Sequence, residues 1–365
     1  MTSPNKSRIL EQHNNNLLLN SPTPPLMLAG VHDLSGDDIT APIDEHMIAT
    51  TIEALESGQT HYVEVPGIPP LRTALAEYLR TAYNAGYEQA NIIVTAGIQE
   101  SRFLTVQMIG EAFGKIALPA VVHPGVKTAI GVRPMPIETI AVDARLLPTL
   151  EGIRGAFEGG SRLLYLESPS RLTGAAYTAE EVAGIAALAG EFDATIIWDQ
   201  GAAPWAADYT SLASAAANRT ALIGEAFPGT GLSSWFIGCI AAPEQWVATM
   251  QSQKQIMAIC TSTPTQYAAL EASKHYADSQ ISQRRRLSQV RQSLVETLAQ
   301  FGEVLPGETA TIVAVRLPEA DKQRLVDRLG VSGISVTDGA DFGAPDVVRF
   351  TVSHGSDQVV KGAAQ

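Results

Sequence analysis

The chain has 365 residues, of which 45% are hydrophobic and 17% charged, the balance of a folded protein with a large core and not of a disordered one. Its formal net charge of −13 argues against nucleic acid and anionic lipid as partners, and no apolar run approaches the ~20 residues that span a bilayer. Two cysteines, Cys239 and Cys260, are too few for a disulfide framework or a metal site of their own.

In chain order, residues 1–25 are rich in Asn, Ser and Pro and read as an arm, loosely ordered or packed on a second subunit. Their polarity argues against a signal peptide, so a cytoplasmic location is the expectation. "LRTALAEYLRTAYNAG" carries apolar residues at 71, 75, 78, 79 and 83, a helical spacing that closes at Gly86. "NIIVTAGIQESRFLTVQMIGEAFG" predicts a buried strand over 92–95, a turn at Gly97 and a helix. "KIALPAVV", "RLLYLESPS" and "ATIIWDQ" predict further strands, and the helix between the last two opens on a capping box, Thr178 with Glu181. Strands alternating with helices predict a mostly parallel sheet covered on both faces, with function at the carboxyl ends of the strands. "LIGEAFPGTGLSSWFIGCIAAPE", residues 222–244, reads as strand, glycine-rich turn and strand. Past residue 250, one long polar helix over roughly 264–300 precedes a strand, helix, strand, strand succession, the pattern of a small α+β unit. Arg284, Arg285 and Arg286 are the one basic cluster and read as a solvated helix face.

Four stretches in this order resemble the class I/II aminotransferases, pyridoxal-phosphate (PLP) enzymes of fold type I. They are "YVEVPGIPPLRTALAEYL", "NIIVTAGIQES", "LESPSRLTGAAYTAEEVAGIAALAGEFDATIIWDQ" and the 222–244 loop, and the tail "DVVRFTVS" is similar to strands that end in a substrate-gripping arginine. The resemblance implies an α/β fold, with a large domain built on a mostly parallel seven-stranded sheet and a small α+β domain. The expected division is 1–45 for the arm and part of the small domain, 46–262 for the large domain, and 263–365 for the linking helix and the rest of the small domain. It also implies a homodimer. Residue by residue, Gly97, Ile98 and Gln99 match a backbone cradle for the cofactor phosphate at a helix N-terminus, and Asp199 matches the acid that pairs with the pyridine nitrogen. Tyr62 matches a tyrosine lent across the dimer, and Gly36 and Arg349 fall at the substrate-carboxylate end.

Other positions depart from the pattern. Pro228 stands where the Schiff-base lysine belongs, and proline has no amine. Phe236 and Glu225 replace phosphate partners, and a carboxylate beside a dianion is unfavourable by roughly 1 to 4 kcal/mol. Arg171 replaces the asparagine that bonds the ring hydroxyl, Leu172 and Ala202 are further departures, and His123 falls where an aromatic ring stacks on the cofactor. Of seven lysines, Lys254 follows Pro228 most closely and reads as a solvated helix-face residue.

The expectation is therefore an aminotransferase-like protein that takes no cofactor and binds or transforms a small carboxylate or amino-acid-like molecule. In that reading Asp199, Arg171, His123 and Glu225 shape the reactive site, with no metal. The alternatives are a working PLP-dependent aminotransferase with a displaced lysine, and a non-catalytic dimeric scaffold or regulator.

Overall fold

The computed structural model describes residues 32–364 apart from 38, 40, 233, 234 and 236. Two sheets organise the chain. β1 (His32–Leu34) opens the smaller one, and β2 (Ile92–Ala96), β3 (Ile116–Pro119), β4 (Ile137–Ile140), β5 (Leu163–Glu167), β6 (Thr195–Asp199), β7 (Thr220–Glu225) and β8 (Ile237–Ala241) build the larger. β9 (Glu303–Val304), β10 (Ile312–Arg316), β11 (Ile334–Asp338) and β12 (Val347–Thr351) complete the smaller sheet.

The larger sheet runs β2-β8-β7-β6-β5-β3-β4, parallel except for β8, which is antiparallel to both its neighbours. β5, β6 and β8 are buried along their whole length, which is why they read as unbroken apolar runs and not as alternating ones. Helices cover both faces. On one side Leu104, Val106, Ile109, Val126 and Met250 pack on Ile93, Tyr165 and Ile197. On the other, Ile153, Phe157, Val182 and Ile185 pack on Leu164, Leu166, Ile196 and Trp198. Parallel register aligns the carboxyl ends, and Glu167 of β5 lies opposite Asp199 of β6.

The smaller sheet runs β1-β11-β12-β10-β9, so the first described strand pairs with one from the last tenth of the chain. The expected single helix over 264–300 is two, Thr263–Ser273 and Tyr276–Leu298. The first buries Ala268, Ala269 and Ala272 against the core beside β2 and β8, whereas the second turns Leu287, Leu294 and Leu298 to the smaller sheet. One straight rod cannot face both cores, and the chain breaks at Lys274–His275. Among the described residues no helix is long and apolar enough to cross a membrane.

The helix Ala179–Glu191 starts with both halves of the expected capping box, Thr178 accepting from Glu181 N and Glu181 accepting from Thr178 N. Thr178→Ala should cost about 1 kcal/mol of stability, read as a lower urea midpoint with an unchanged slope.

Candidate functional site

The carboxyl ends of β2 and β7 and the segments after β1, β3 and β7 meet around a cavity of about 290 Å³, near the lower end of the roughly 300–1,000 Å³ usual for small-molecule pockets. Its wall is formed by Ala96–Gln99, Arg102, His123, Glu225–Pro228, Leu232, Ile237 and Asp37.

β2 delivers the first part. Gly97 turns at φ +74, a conformation open to glycine, and starts the helix Gly97–Leu104. The first-turn amides have no partner inside the helix, so those of Gly97, Ile98 and Gln99 can serve an anion at the wall. The approach is tight here: a methyl on Gly238 of β8 would lie 2.7 Å from the Gly97 carbonyl carbon. Glu100 bends back to accept from the Ala96 amide and also holds Lys254 Nζ at 2.8 and 3.0 Å. Lys254 is fully buried, and Thr261 Oγ1 takes another of its protons at 3.1 Å. The expectation of a solvated lysine is thus corrected, because a buried ammonium needs these partners and has them.

β5 and β6 deliver the charged floor. Asp199 is wholly buried, its Oδ1 accepting from Arg171 Nε at 3.3 Å, Arg171 Nη2 at 3.2 Å and Gly201 N at 3.0 Å. Its Oδ2 accepts from Arg102 Nε at 3.3 Å, Arg102 Nη2 at 3.0 Å and Tyr165 OH at 3.0 Å. Burial alone would raise this carboxyl, but the charges of Arg171 and Arg102 and the Gly201 amide outweigh it and bring it to about 2. Tyr165 moves the other way, up through burial and the neighbouring Asp199 charge. The acid matched to a ring nitrogen therefore spends both oxygens inside the protein, and Arg102, not Asp199, borders the cavity.

Arg171 links the floor to the 222–244 loop, because its Nη2 also reaches both oxygens of Glu225 at 3.1 Å. Asp199 and Glu225 hold its guanidinium protonated against the cost of burial. Gly201 leaves the room, since a methyl there would collide with Arg171 Nη2 and Glu225 Oε2. In the loop itself Phe227 takes φ 55, an uncommon backbone for a bulky residue, while its ring is locked against Tyr78 and Tyr276. Pro228 follows on the wall, and among the described residues lining the cavity there is no lysine. Phe236 lies outside the described residues.

His123 lines the cavity with its ring edge-on to Phe342, 5.3 Å between centroids. Its Nδ1 accepts from Gly125 N at 3.0 Å, so Nε2 carries the proton and donates to Asp37 Oδ2 at 2.8 Å. Arg349 of β12 is 2% exposed and is not on the cavity wall. It binds Asp37 Oδ1 at 2.8 Å and the Gly36 carbonyl at 2.9 Å. Burial would raise the Asp37 carboxyl, but the His123 hydrogen bond and the Arg349 charge hold it well below the usual carboxylate range. Tyr62 is away from this group and 78% exposed on the single chain.

The structure thus gathers Gly97, Ile98, Gln99, His123 and Glu225 on one wall and sets Arg171, Asp199, Gly36 and Arg349 behind it. Sequence reasoning missed three members. Arg102 sits three residues past the cradle and is buried without any apolar signal, and Asp37 follows Gly36 in a segment with no motif. Glu167 accepts from the amides of His123 at 2.7 Å and Arg171 at 3.3 Å. Its carboxyl is raised by burial and by the Asp199 charge. A signal existed for Glu167, a carboxylate ending an otherwise apolar strand.

Comparison with solved structures sets the class first: the backbone is that of the aminotransferases. It superposes on an aspartate aminotransferase from Thermus thermophilus with maleate at a TM-score of 0.82, with 24% identity and 92% of this chain and 90% of that one covered. An aromatic aminotransferase from Pyrococcus horikoshii gives a TM-score of 0.83 at 20% identity, over 92% and 94% of the two chains. The chain belongs to the family described as aminotransferase class I and II, whose model matches residues 30–365. Among curated relatives, the aspartate/prephenate aminotransferase of Thermus thermophilus is 26% identical over 328 residues, 87% of this chain and 85% of that protein. The aspartate aminotransferase of Bacillus subtilis is 23% identical over 359 residues, 90% and 89% of the two. These findings overturn the expectation of a chain without a cofactor, because PLP is the group this family of aminotransferases implies.

Asp199→Asn should destabilise the fold by about 3–5 kcal/mol, since it leaves Arg102 and Arg171 buried one charge short. The folded carboxyl lies at about 2, below its ordinary 3.8, so its contribution of roughly 2 kcal/mol is complete above pH 4 and lost as pH falls towards 2. Denaturation midpoints of wild type and variant should accordingly converge over that window.

Proposed function

We propose that the protein is a PLP-dependent aminotransferase acting on a small amino or oxo compound. The observation that carries this reading is the family match over 30–365 together with a formed cradle at Gly97–Gln99 on the cavity wall. The fit to PLP is good at one end and different at the other. A phosphate suits the amides of Gly97, Ile98 and Gln99, with the helix dipole favouring its charge. The rest of the wall would offer a ring Arg102, Glu225 and His123, while no described lining residue is a lysine and Asp199 is fully engaged. When bound, PLP supplies an electron sink for amino-group transfer.

The chain's own residues have definable tasks. Gly97–Gln99 orient a ligand by its anionic end. Asp199 fixes Arg102 and Arg171, so the guanidinium of Arg102 is presented in one orientation at the wall. Ala226, Phe227, Pro228, Leu232 and Ile237 form the apolar side and exclude water from it. We place Tyr62, with the exposed Leu55 and Ile256, at a homodimer contact of the kind the family forms.

Pro228 and the wall without a described lysine favour one further reading of how the group is held: by its phosphate and ring contacts, without a covalent link to the chain. Spectral titration with PLP tests both readings. A perturbed visible band that survives desalting, with amino-group transfer from a donor panel, is the expected result, and Gly97→Val should weaken uptake about tenfold or more by straining the cradle. No uptake by wild type would overturn the proposal. Borohydride treatment and denaturation then separate the modes of attachment: chromophore released with the small molecules supports non-covalent seating, and a reduced adduct mapped to a lysine supports a link.

A further inference from the structure

The arginine at the carboxylate end already holds a carboxylate. Arg349 Nη1 donates to Asp37 Oδ1 at 2.8 Å and to the Arg171 carbonyl at 3.0 Å, and Nη2 donates to the Ser35 and Gly36 carbonyls. Two terminal nitrogens carry four protons, and all four are used. Nε is buried and has no partner. A ligand carboxylate normally takes two parallel N–H groups of such a fork, and none is offered to the cavity.

The segment that blocks the fork is built into the sheet. β1 pairs with β11, Thr337 Oγ1 donates to the Ser35 carbonyl at 2.9 Å, and Thr351 Oγ1 donates to the Gly36 carbonyl. Asp37 is held from its other side by His123 Nε2. Of these partners Asp37 and His123 border the cavity, so a ligand meets an acceptor and an imidazole where an arginine would otherwise face it.

We propose that Asp37 fills the carboxylate seat of Arg349 from within the chain, and that the cavity takes amino or oxo compounds with no carboxylate beside the reacting carbon. The substrate class rests on the PLP-dependent reading above; the filled seat does not. Asp37 is then a specificity-determining residue. A carboxylate on the reacting carbon has to displace Asp37 from Arg349, and also meets the Glu225 carboxylate on the same wall.

The test uses the full chain and two probes. Calorimetric titration with maleate, with or without PLP, reads the seat alone. Wild type should bind maleate at least about tenfold more weakly than Asp37→Ala, the scale of one charge-assisted pair, with Asp37→Asn between them. Circular dichroism melting confirms that the variants are folded, and addition of Arg349→Lys to Asp37→Ala should remove the gain because lysine lacks the fork. Equal maleate affinity in wild type and Asp37→Ala, or binding in neither, overturns the filled seat. On PLP-loaded protein, n-butylamine should bleach the visible band faster than L-aspartate, and Asp37→Ala should shift the ratio towards L-aspartate by about tenfold. Preference of wild type for L-aspartate overturns the substrate class, whereas failure of PLP to bind at all counts against the proposed function and leaves the maleate result to decide the seat.

Discussion

Asp199 keeps its charge at a place with no exposure to solvent, and the geometry around it follows from that constraint. A buried carboxylate is tolerable only when its charge is matched and its lone pairs are filled. Here two guanidinium groups, a phenol and a backbone amide fill them. Arg102 comes from the helix after β2, Tyr165 from β5 and Arg171 from the loop after β5, so a single acid ties three chain segments to the end of β6. The same demand extends outward, because Arg171 shares its charge with Glu225 and thereby fixes the loop that carries Phe227 and Pro228.

A second layer stands on the first. Glu167 lies opposite Asp199 across the parallel ladder and accepts from the amides of both His123 and Arg171. His123 in turn presents its Nε2 proton to Asp37, and Asp37 engages Arg349 on the smaller sheet. A run of polar contacts, through backbone amides at Glu167 and through charge pairs at Asp37, thus leads from the floor of the larger sheet to Arg349 on β12 of the smaller one. Each member is oriented by the next, so the cavity wall presents fixed donors, the amides of Gly97–Gln99 and Arg102, together with the Glu225 carboxylate and the His123 imidazole.

Much of the frame could be read from the residues. The apolar runs that became β2, β3, β5 and β6, the capping box at Thr178 and the strand, turn and strand of 222–244 all appear where local pattern put them. Local pattern failed where packing decided. The polar stretch 264–300 has helical propensity throughout, and only the need to face two cores divides it. Lys254 has the look of a solvated residue because its partner Glu100 is 154 positions away. The expectation of a chain without a cofactor rested on single substitutions, Pro228 above all, and family membership over nearly the whole chain outweighs it.

The sequence by itself determined the alternation of strands and helices, the family and the positions of Asp199, Arg171, Gly97 and Arg349 along the chain. These depend on periodicity, turn chemistry and motif order, which are local. Only the tertiary structure decided what those side chains touch. That Arg102 shields Asp199 and that Asp37 occupies Arg349, 312 residues away, are matters of charge pairing between distant segments. No local signal encodes such pairing, because a carboxylate finds its guanidinium only once the two sheets have brought the strand ends together.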